Sequence, residues 1–237
     1  MTVRVGIAPD ISDEGVVSVE ANCTEALEQA GAEPVILDPR GPAPLTGVHA
    51  LMLCGGAFDI PPDWYGALPR GRVDAPREAR SSFERLALEA ADAARLPVLG
   101  ICGGAQLMAV CRGGTLVQDI ANELPNALEH EQSVRAHEPV HPVSLAEGSC
   151  LARVLGCVSL SVNSTHHQSV GSCRGGVDAV GWAPDGIVEA VEDPSREFWI
   201  GVQWHPEKLR DRNAWRLMDA FVRAARSWVR EGTQSPG

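Results

Sequence analysis

Basic residues are scarce in this chain. Lys and Arg total 20 against 31 Asp and Glu, giving a net charge of −11 over 237 residues. That balance argues against nucleic acid and anionic membranes as partners, since both require a basic surface. No CxxC pair occurs among the seven cysteines, Cys23, Cys54, Cys102, Cys111, Cys150, Cys157 and Cys173. Their number is odd, and nothing marks a disulfide framework. The opening segment Met1-Thr-Val-Arg-Val-Gly-Ile-Ala lacks the basic-then-apolar layout of a signal peptide. The longest uncharged apolar-rich stretch, between Arg95 and Arg112, is interrupted by glycines and too short to span a bilayer. The expectation is a cytoplasmic protein with no membrane partner. Neither GxGxxG after the first strand nor GxxxxGK[ST] is present, so no nucleotide cofactor is implied. His130, His137, His141, His166 and His167 match neither HExxH nor a zinc-finger spacing. No metal is expected, and His130, His137 and His141 read instead as part of a long covering loop.

What is present is ordinary globular usage, 44% apolar and 22% charged. Without repeats or a long linker, the expectation is one domain over residues 1–230 and a frayed tail over 231–237. Strands are expected at Val3–Ala8, Pro34–Leu37, His49–Cys54 and Pro97–Ile101. Helices are expected at Glu14–Ala30, closed by Gly31, at Arg77–Arg95 with Phe83, Leu86, Ala87 and Ala90 on one face, and at Gly104–Cys111. Strands spaced by helices of this length imply βαβ units: an α/β fold of three layers, α/β/α, flavodoxin-like, with a mostly parallel central sheet. The second half is richer in strands, at Pro139–Leu145, Val158–Val162, Ala179–Ala183, Ile187–Glu192 and Phe198–Trp204. A last helix, Arg212–Val229, carries Trp215, Met218, Phe221, Val222 and Ala225 at helical spacing, and residues 114–139 read as a long loop.

The sharpest local feature is Gly100-Ile101-Cys102-Gly103-Gly104, between an apolar strand and a helix. This is the setting of a nucleophile elbow, in which glycines on either side allow a tight turn. The positive end of a helix dipole favours a thiolate at such a position. The N–H of Gly103 would face the oxygen of an attacked carbonyl. A nucleophilic cysteine requires a base, and the base an orienting group. Gly201-Val-Gln-Trp-His205-Pro-Glu207 supplies both. Residues i and i+2 of an extended segment project to the same side, so Glu207 can fix the His205 imidazole. Taken alone, Cys102 is equally well a small buried residue, and an isolated HxE is usually a surface pair.

Together, G-I-C-G-G-A-Q at 100–106 and G-V-Q-W-H-P-E at 201–207 resemble the class I glutamine amidotransferases, which use a Cys-His-Glu triad. Cys54-Gly-Gly-Ala-Phe-Asp-Ile-Pro-Pro-Asp-Trp-Tyr-Gly66 and Val162-Asn-Ser-Thr-His-His-Gln168 narrow the resemblance to the γ-glutamyl-γ-aminobutyrate hydrolase group, peptidase family C26. Gly113–Asp119 and Pro184–Glu189 fit the same group. The resemblance implies Cys102 as nucleophile, His205 as general base and acid, and Glu207 as its orienting carboxylate. It implies oxyanion donors at Gly56 and Gly103. It places Gln106, Asn163, Ser164 and His166 in the pocket for the glutamyl group. Asp59, Trp64 and Tyr65, beside the oxyanion loop, would line the leaving-group side or pack the loop.

The substrate implied is a small γ-glutamyl amide, hydrolysed without a cofactor. One departure bears on the amine: members of the group often carry Arg directly after the nucleophile, where this chain has Gly103. The leaving amine is left open among γ-aminobutyrate, other polyamine-derived amines, ethanolamine-like amines and a pathway-specific intermediate. Two other readings stay open, a glutaminase subunit feeding ammonia to a separate synthetase and a non-catalytic scaffold. A homodimer is compatible with the sequence.

Overall fold

The computed structural model describes residues 2–12, 15–40, 45–56, 58–74, 77–132 and 135–232. Its centre is a run of parallel strands: β1 (Val3–Ala8), β4 (Ala32–Ile36), β5 (Ala50–Leu53), β6 (Val98–Ile101) and β13 (Trp199–Val202), in the order β4-β1-β5-β6-β13. β5, β6 and β13 are buried at every position. Such continuous apolar runs suit a sheet covered on both faces. The sheet continues antiparallel through β12 (Val188–Glu192), β11 (Asp178–Trp182), β8 (His141–Leu145) and β9 (Ser159–Val162). Pro34 is tolerated in β4 because that strand is an edge, paired only with β1.

Helices cover both faces. α1 (Ala21–Gln29), α5 (Cys150–Leu155) and α6 (Arg212–Gly232) pack one side with Leu27, Leu151, Leu217 and Phe221. α2 (Glu78–Ala93) and α3 (Gly103–Cys111) pack the other with Phe83, Leu88, Leu107 and Met108. The layered, mostly parallel architecture expected from the sequence is present. Among the described residues no helix is long and apolar enough to cross a membrane.

Several expected boundaries differ. The helix expected from Glu14 begins at Ala21, because β-branched Val17 lies in a short strand, β3 (Val17–Ser18), paired with β2 (Asp10–Ile11). Glu14 itself lies outside the described residues. On α2 the inward stripe is Arg80, Phe83, Glu84, Ala87 and Leu88, while Leu86 is exposed. Trp215 of α6 is also exposed. Residues 114–139 are not all loop: they include β7 (Thr115–Val117) and α4 (Ile120–Glu123), the latter capped by the Asp119 carboxylate accepting from Asn122 N–H. β7 pairs with β10 (Ser169–Ser172), which pairs with β12. Of the tail, Glu231 and Gly232 continue α6, and residues 233–237 lie outside the described part.

Candidate active site

Three adjacent parallel strands end at the three pieces of the site. β5 runs into Gly55-Gly56, β6 into Cys102, and β13 into Gln203–Glu207. Open α/β sheets bind ligands at this carboxyl edge. Register brings the pieces together: Ile101 pairs with Val202, and the Cys102 N–H donates to the Val202 carbonyl at 2.8 Å.

Cys102 turns the chain from β6 into α3 with φ +52° and ψ −111°. A non-glycine residue in that region stores on the order of 1–3 kcal/mol, held by its surroundings. The neighbouring glycines explain why the turn closes. A Cβ on Gly104 would collide with the Leu53 carbonyl, and one on Gly100 with Met108. Gly103 differs: a Cβ there would meet nothing within 4 Å.

His205 and Glu207 project together as period-2 neighbours. The His205 Nδ1–H donates to Glu207 Oε1 at 2.6 Å, and both side chains are buried. A Cβ built on Gly55 would lie 2.9 Å from His205 Cε1 and 3.1 Å from Cys102 Cβ, so Gly55 closes directly over the Cys-His pair. Burial opposes the His205 imidazolium, but the charges of Glu207 and Cys102 outweigh it and raise its pKa to about 10.

A folded-state pKa above the unfolded 6.5 has a definite sign in stability. The contribution is complete below about 6.5 and is gone once pH has risen past about 10. Cys102→Ala removes one of the two charges holding the imidazolium. Its His205 titration, followed by NMR, is expected to shift to lower pH than in the wild type. Its alkaline loss of stability is expected to begin correspondingly earlier. An unchanged titration in Cys102→Ala would contradict the pairing.

Two supports were not identified from the sequence. The first is Gln203, whose Nε2 donates to Cys102 Sγ at 3.5 Å and whose Oε1 accepts from Gln106 Nε2 at 3.1 Å. The second is Arg80, 1% exposed, which donates through Nη2 to the carbonyls of Cys54 and Gly55 at 2.9 and 3.0 Å. It lies 3.8 Å over the Phe58 ring and pairs with Glu84 at 2.9 Å and Asp10 at 3.3 Å. A trans peptide points its C=O and N–H to opposite sides. With the Gly55 carbonyl held by Arg80, the Gly56 N–H of the same peptide points away from that guanidinium.

The other sequence-selected residues fall into three groups. Gln106 is buried, with Nε2 bonded to the Gln168 carbonyl and to Gln203, so it supports Gln203. Asn163 brackets the backbone of His205, accepting from its N–H at 2.9 Å and donating to its carbonyl at 3.0 Å. Ser164 and His166 bond each other and face a separate buried cluster with His130. His130 and His141 are likewise buried, while His137 is exposed. Asp59 accepts from Asp74 N–H at 2.6 Å and pairs with His167 at 3.2 Å. Trp64 carries the Arg85 guanidinium 4.6 Å above its ring. The Tyr65 hydroxyl is buried without a hydrogen-bond partner, and burial pushes its pKa up, with Asp59 and Glu123 adding to it. A cavity of about 530 Å³ between α1 and α6 is lined by Glu25, Trp215 and Met218 and, of Cys102, His205 and Glu207, by Glu207 alone. Neither Cys102 nor Gly55 is in its wall.

Comparison with known proteins bears on the family and the fold. The family model for Peptidase C26 matches residues 6–207. A Mycobacterium tuberculosis protein provisionally named a glutamine amidotransferase, Rv2859c, is 37% identical over 224 residues, covering 91% of this chain and 70% of that protein. The γ-glutamyl-γ-aminobutyrate hydrolase PuuD of Escherichia coli is 31% identical over 214 residues, covering 87% of this chain and 82% of that protein. Among solved structures, the glutaminase domain of Trypanosoma brucei CTPS superposes with a TM-score of 0.67. Its identity is 16%, over 95% of this chain and 94% of that one, which speaks to the fold.

Proposed function

The chain belongs to the peptidase C26 family, and from that premise we propose that it is a cysteine-dependent hydrolase of γ-glutamyl amides. The observation that carries the reading is the strained Cys102 set under Gly55 beside a His205 whose far nitrogen is fixed by Glu207 at 2.6 Å. In this mechanism the Cys102 thiolate attacks the γ-carbonyl carbon. The oxygen takes up the negative charge against the N–H groups of Gly56 and Gly103. The imidazolium of His205 passes its proton to the departing amine nitrogen as the C–N bond breaks, leaving a γ-glutamyl thioester on Cys102. His205, now neutral, takes a proton from water. The hydroxide adds to the thioester carbon, the C–S bond breaks, and glutamate leaves with the thiolate restored. Glu207 keeps the imidazole in the tautomer that presents Nε2 to both steps.

The test is glutamate release by the purified protein alone, from γ-glutamyl-γ-aminobutyrate, a panel of γ-glutamyl amines and glutamine, with Cys102→Ala as blank. Turnover of a γ-glutamyl amine well above glutamine supports the proposal. Glutamine hydrolysis alone would favour a glutaminase subunit that serves a synthetase, a reading to which the name of the Mycobacterium tuberculosis relative lends weight. No release from any substrate would overturn both.

Gly103 makes the leaving-group side testable. A Cβ at that position meets nothing within 4 Å, so a side chain starts into open space. Gly103→Arg would place a guanidinium beside the departing amine. A charge-assisted hydrogen bond is worth about 1.5–3 kcal/mol, or roughly 10-fold to 100-fold in kcat/KM. The expected result is a gain of that order for γ-glutamyl-γ-aminobutyrate relative to amines without a carboxylate. An equal effect on both classes would show that position 103 does not face the amine.

A further inference from the structure

On the antiparallel side of the sheet lies a second polar centre that the proposed reaction does not use. Glu189 on β12 is fully buried, and neither carboxylate oxygen has a hydrogen-bond partner. Three imidazole nitrogens face its Oε1: His130 Nδ1 at 3.4 Å, His141 Nε2 at 3.6 Å and His166 Nε2 at 3.6 Å. These separations exceed normal N–H···O lengths, so the carboxylate is surrounded rather than hydrogen-bonded.

The outer nitrogens explain what the inner ones can do. His141 Nδ1 lies 3.2 Å from the Pro142 carbonyl, and His166 Nδ1 lies 2.9 Å from the Gln168 carbonyl. A carbonyl only accepts, so each of these nitrogens carries the proton. In the neutral ring the inward Nε2 is then an acceptor: that of His141 has no hydrogen-bond partner, while that of His166 meets Ser164 Oγ at 3.1 Å, as His130 Nδ1 does at 3.2 Å. His130 Nε2 is held by Asp185 at 3.0 Å, and Asp185 is itself fixed by the N–H groups of Leu128 and Ile187. An imidazole whose far nitrogen is tied to a carboxylate or a backbone carbonyl is the usual outer shell of a metal-bound histidine.

The spacing fits as well. Tetrahedral metal–ligand bonds of about 2.0–2.2 Å imply ligand separations of about 3.3–3.6 Å. The ligand atoms of His130, His141 and Glu189 all lie within 4.8 Å of one another, so modest closure completes the set. We propose that His130, His141 and Glu189, with His166 as fourth ligand, form a buried structural site for a divalent transition-metal ion of the zinc type. Imidazole and carboxylate donors suit that class, and four protein ligands leave no open position for catalysis. The site would tie β8 and β12 to the segment 163–168, whose first residue, Asn163, holds the His205 backbone.

The experiment is metal analysis and cobalt substitution in the full chain, in a Cys102→Ala background that removes the reactive thiol. After chelation and dialysis, Zn²⁺ is expected to bind at one equivalent per chain and raise the thermal midpoint by roughly 5–10 °C when saturating. Co²⁺ is expected to give tetrahedral visible bands without a thiolate charge-transfer band. Glu189→Gln, nearly isosteric, is expected to lose both responses. No midpoint shift with Zn²⁺ and no cobalt spectrum would overturn the proposal and leave the cluster held by protons. So would a thiolate band, or a Glu189→Gln protein that binds as the parent does. The cobalt spectrum of the parent decides the matter if Glu189→Gln fails to fold.

Discussion

Cys102→Ala is expected to reduce glutamate release by a factor of about 10⁴ or more, to the level left by binding and oxyanion donors alone. The size follows from the mechanism: without the sulfur no thioester forms, and His205 has no nucleophile to serve. The same position offers a second readout independent of activity. At φ +52° and ψ −111° the backbone of Cys102 is strained for any residue bearing a Cβ. Cys102→Ala and Cys102→Gly both delete the thiol, but only glycine relieves the strain. Cys102→Gly is therefore expected to be inactive and yet more stable than Cys102→Ala by about 1 kcal/mol. On a chain of this size that is roughly 2–4 °C in Tm. An active Cys102→Ala protein would remove Cys102 from the chemistry. A Cys102→Gly protein less stable than Cys102→Ala would show that the turn is not strained.

Arg80→Met is expected to lower kcat by about 10²–10³ with little change in KM, because it releases the Cys54 and Gly55 carbonyls and with them the orientation of the Gly56 N–H. An oxyanion donor acts on the transition state more than on the bound substrate, which places the loss in kcat. The substitution also strips the partner from Glu84, which is fully buried and whose pKa burial already pushes up. Removing one member of a buried ion pair costs about 3–5 kcal/mol. The two effects separate in the double variant Arg80→Met/Glu84→Gln. Neutralising the stranded carboxylate is expected to recover most of the stability and none of the kcat. Recovery of both would mean that Arg80 serves only the fold. Arg80→Lys is expected to be intermediate, since an ammonium keeps a charge but cannot fork to two carbonyls in the plane of a guanidinium.

The parallel half of the fold was legible because β5, β6 and β13 are continuous apolar runs and its turns are marked by glycine. The meeting of Cys102, His205 and Glu207 was legible for a related reason: one cysteine sat in a diagnostic turn, and one His-x-Glu followed a buried strand. The period-2 argument that linked His205 to Glu207 reaches Gln203 when taken one step back, and Gln203 is the residue that touches Cys102 Sγ. Arg80 was hidden by a different rule. A charged residue on a helix is expected to face water, and here a cation–π contact with Phe58 and two acidic partners allow it to face the core. Strands β7 and β10 are three and four residues long, too short to carry a period. The short helix α5 did carry signals that went unused, the Ser149 cap bonded to Ala152 N–H and the left-handed Gly156 that ends it. The histidines in the second half matched no spacing rule because their cluster is assembled across the sheet, from residues 130, 141, 166 and 189. Sequence distance says nothing about such a set.

The most direct test of the central claim is the intact mass of the protein quenched in acid during turnover of a γ-glutamyl amide. The expected result is a population heavier by one glutamyl acyl group, mapped by peptide analysis to Cys102, lost on incubation before the quench and absent in Cys102→Ala. Turnover with no acylated protein at any time point, or acylation at another cysteine, would contradict it.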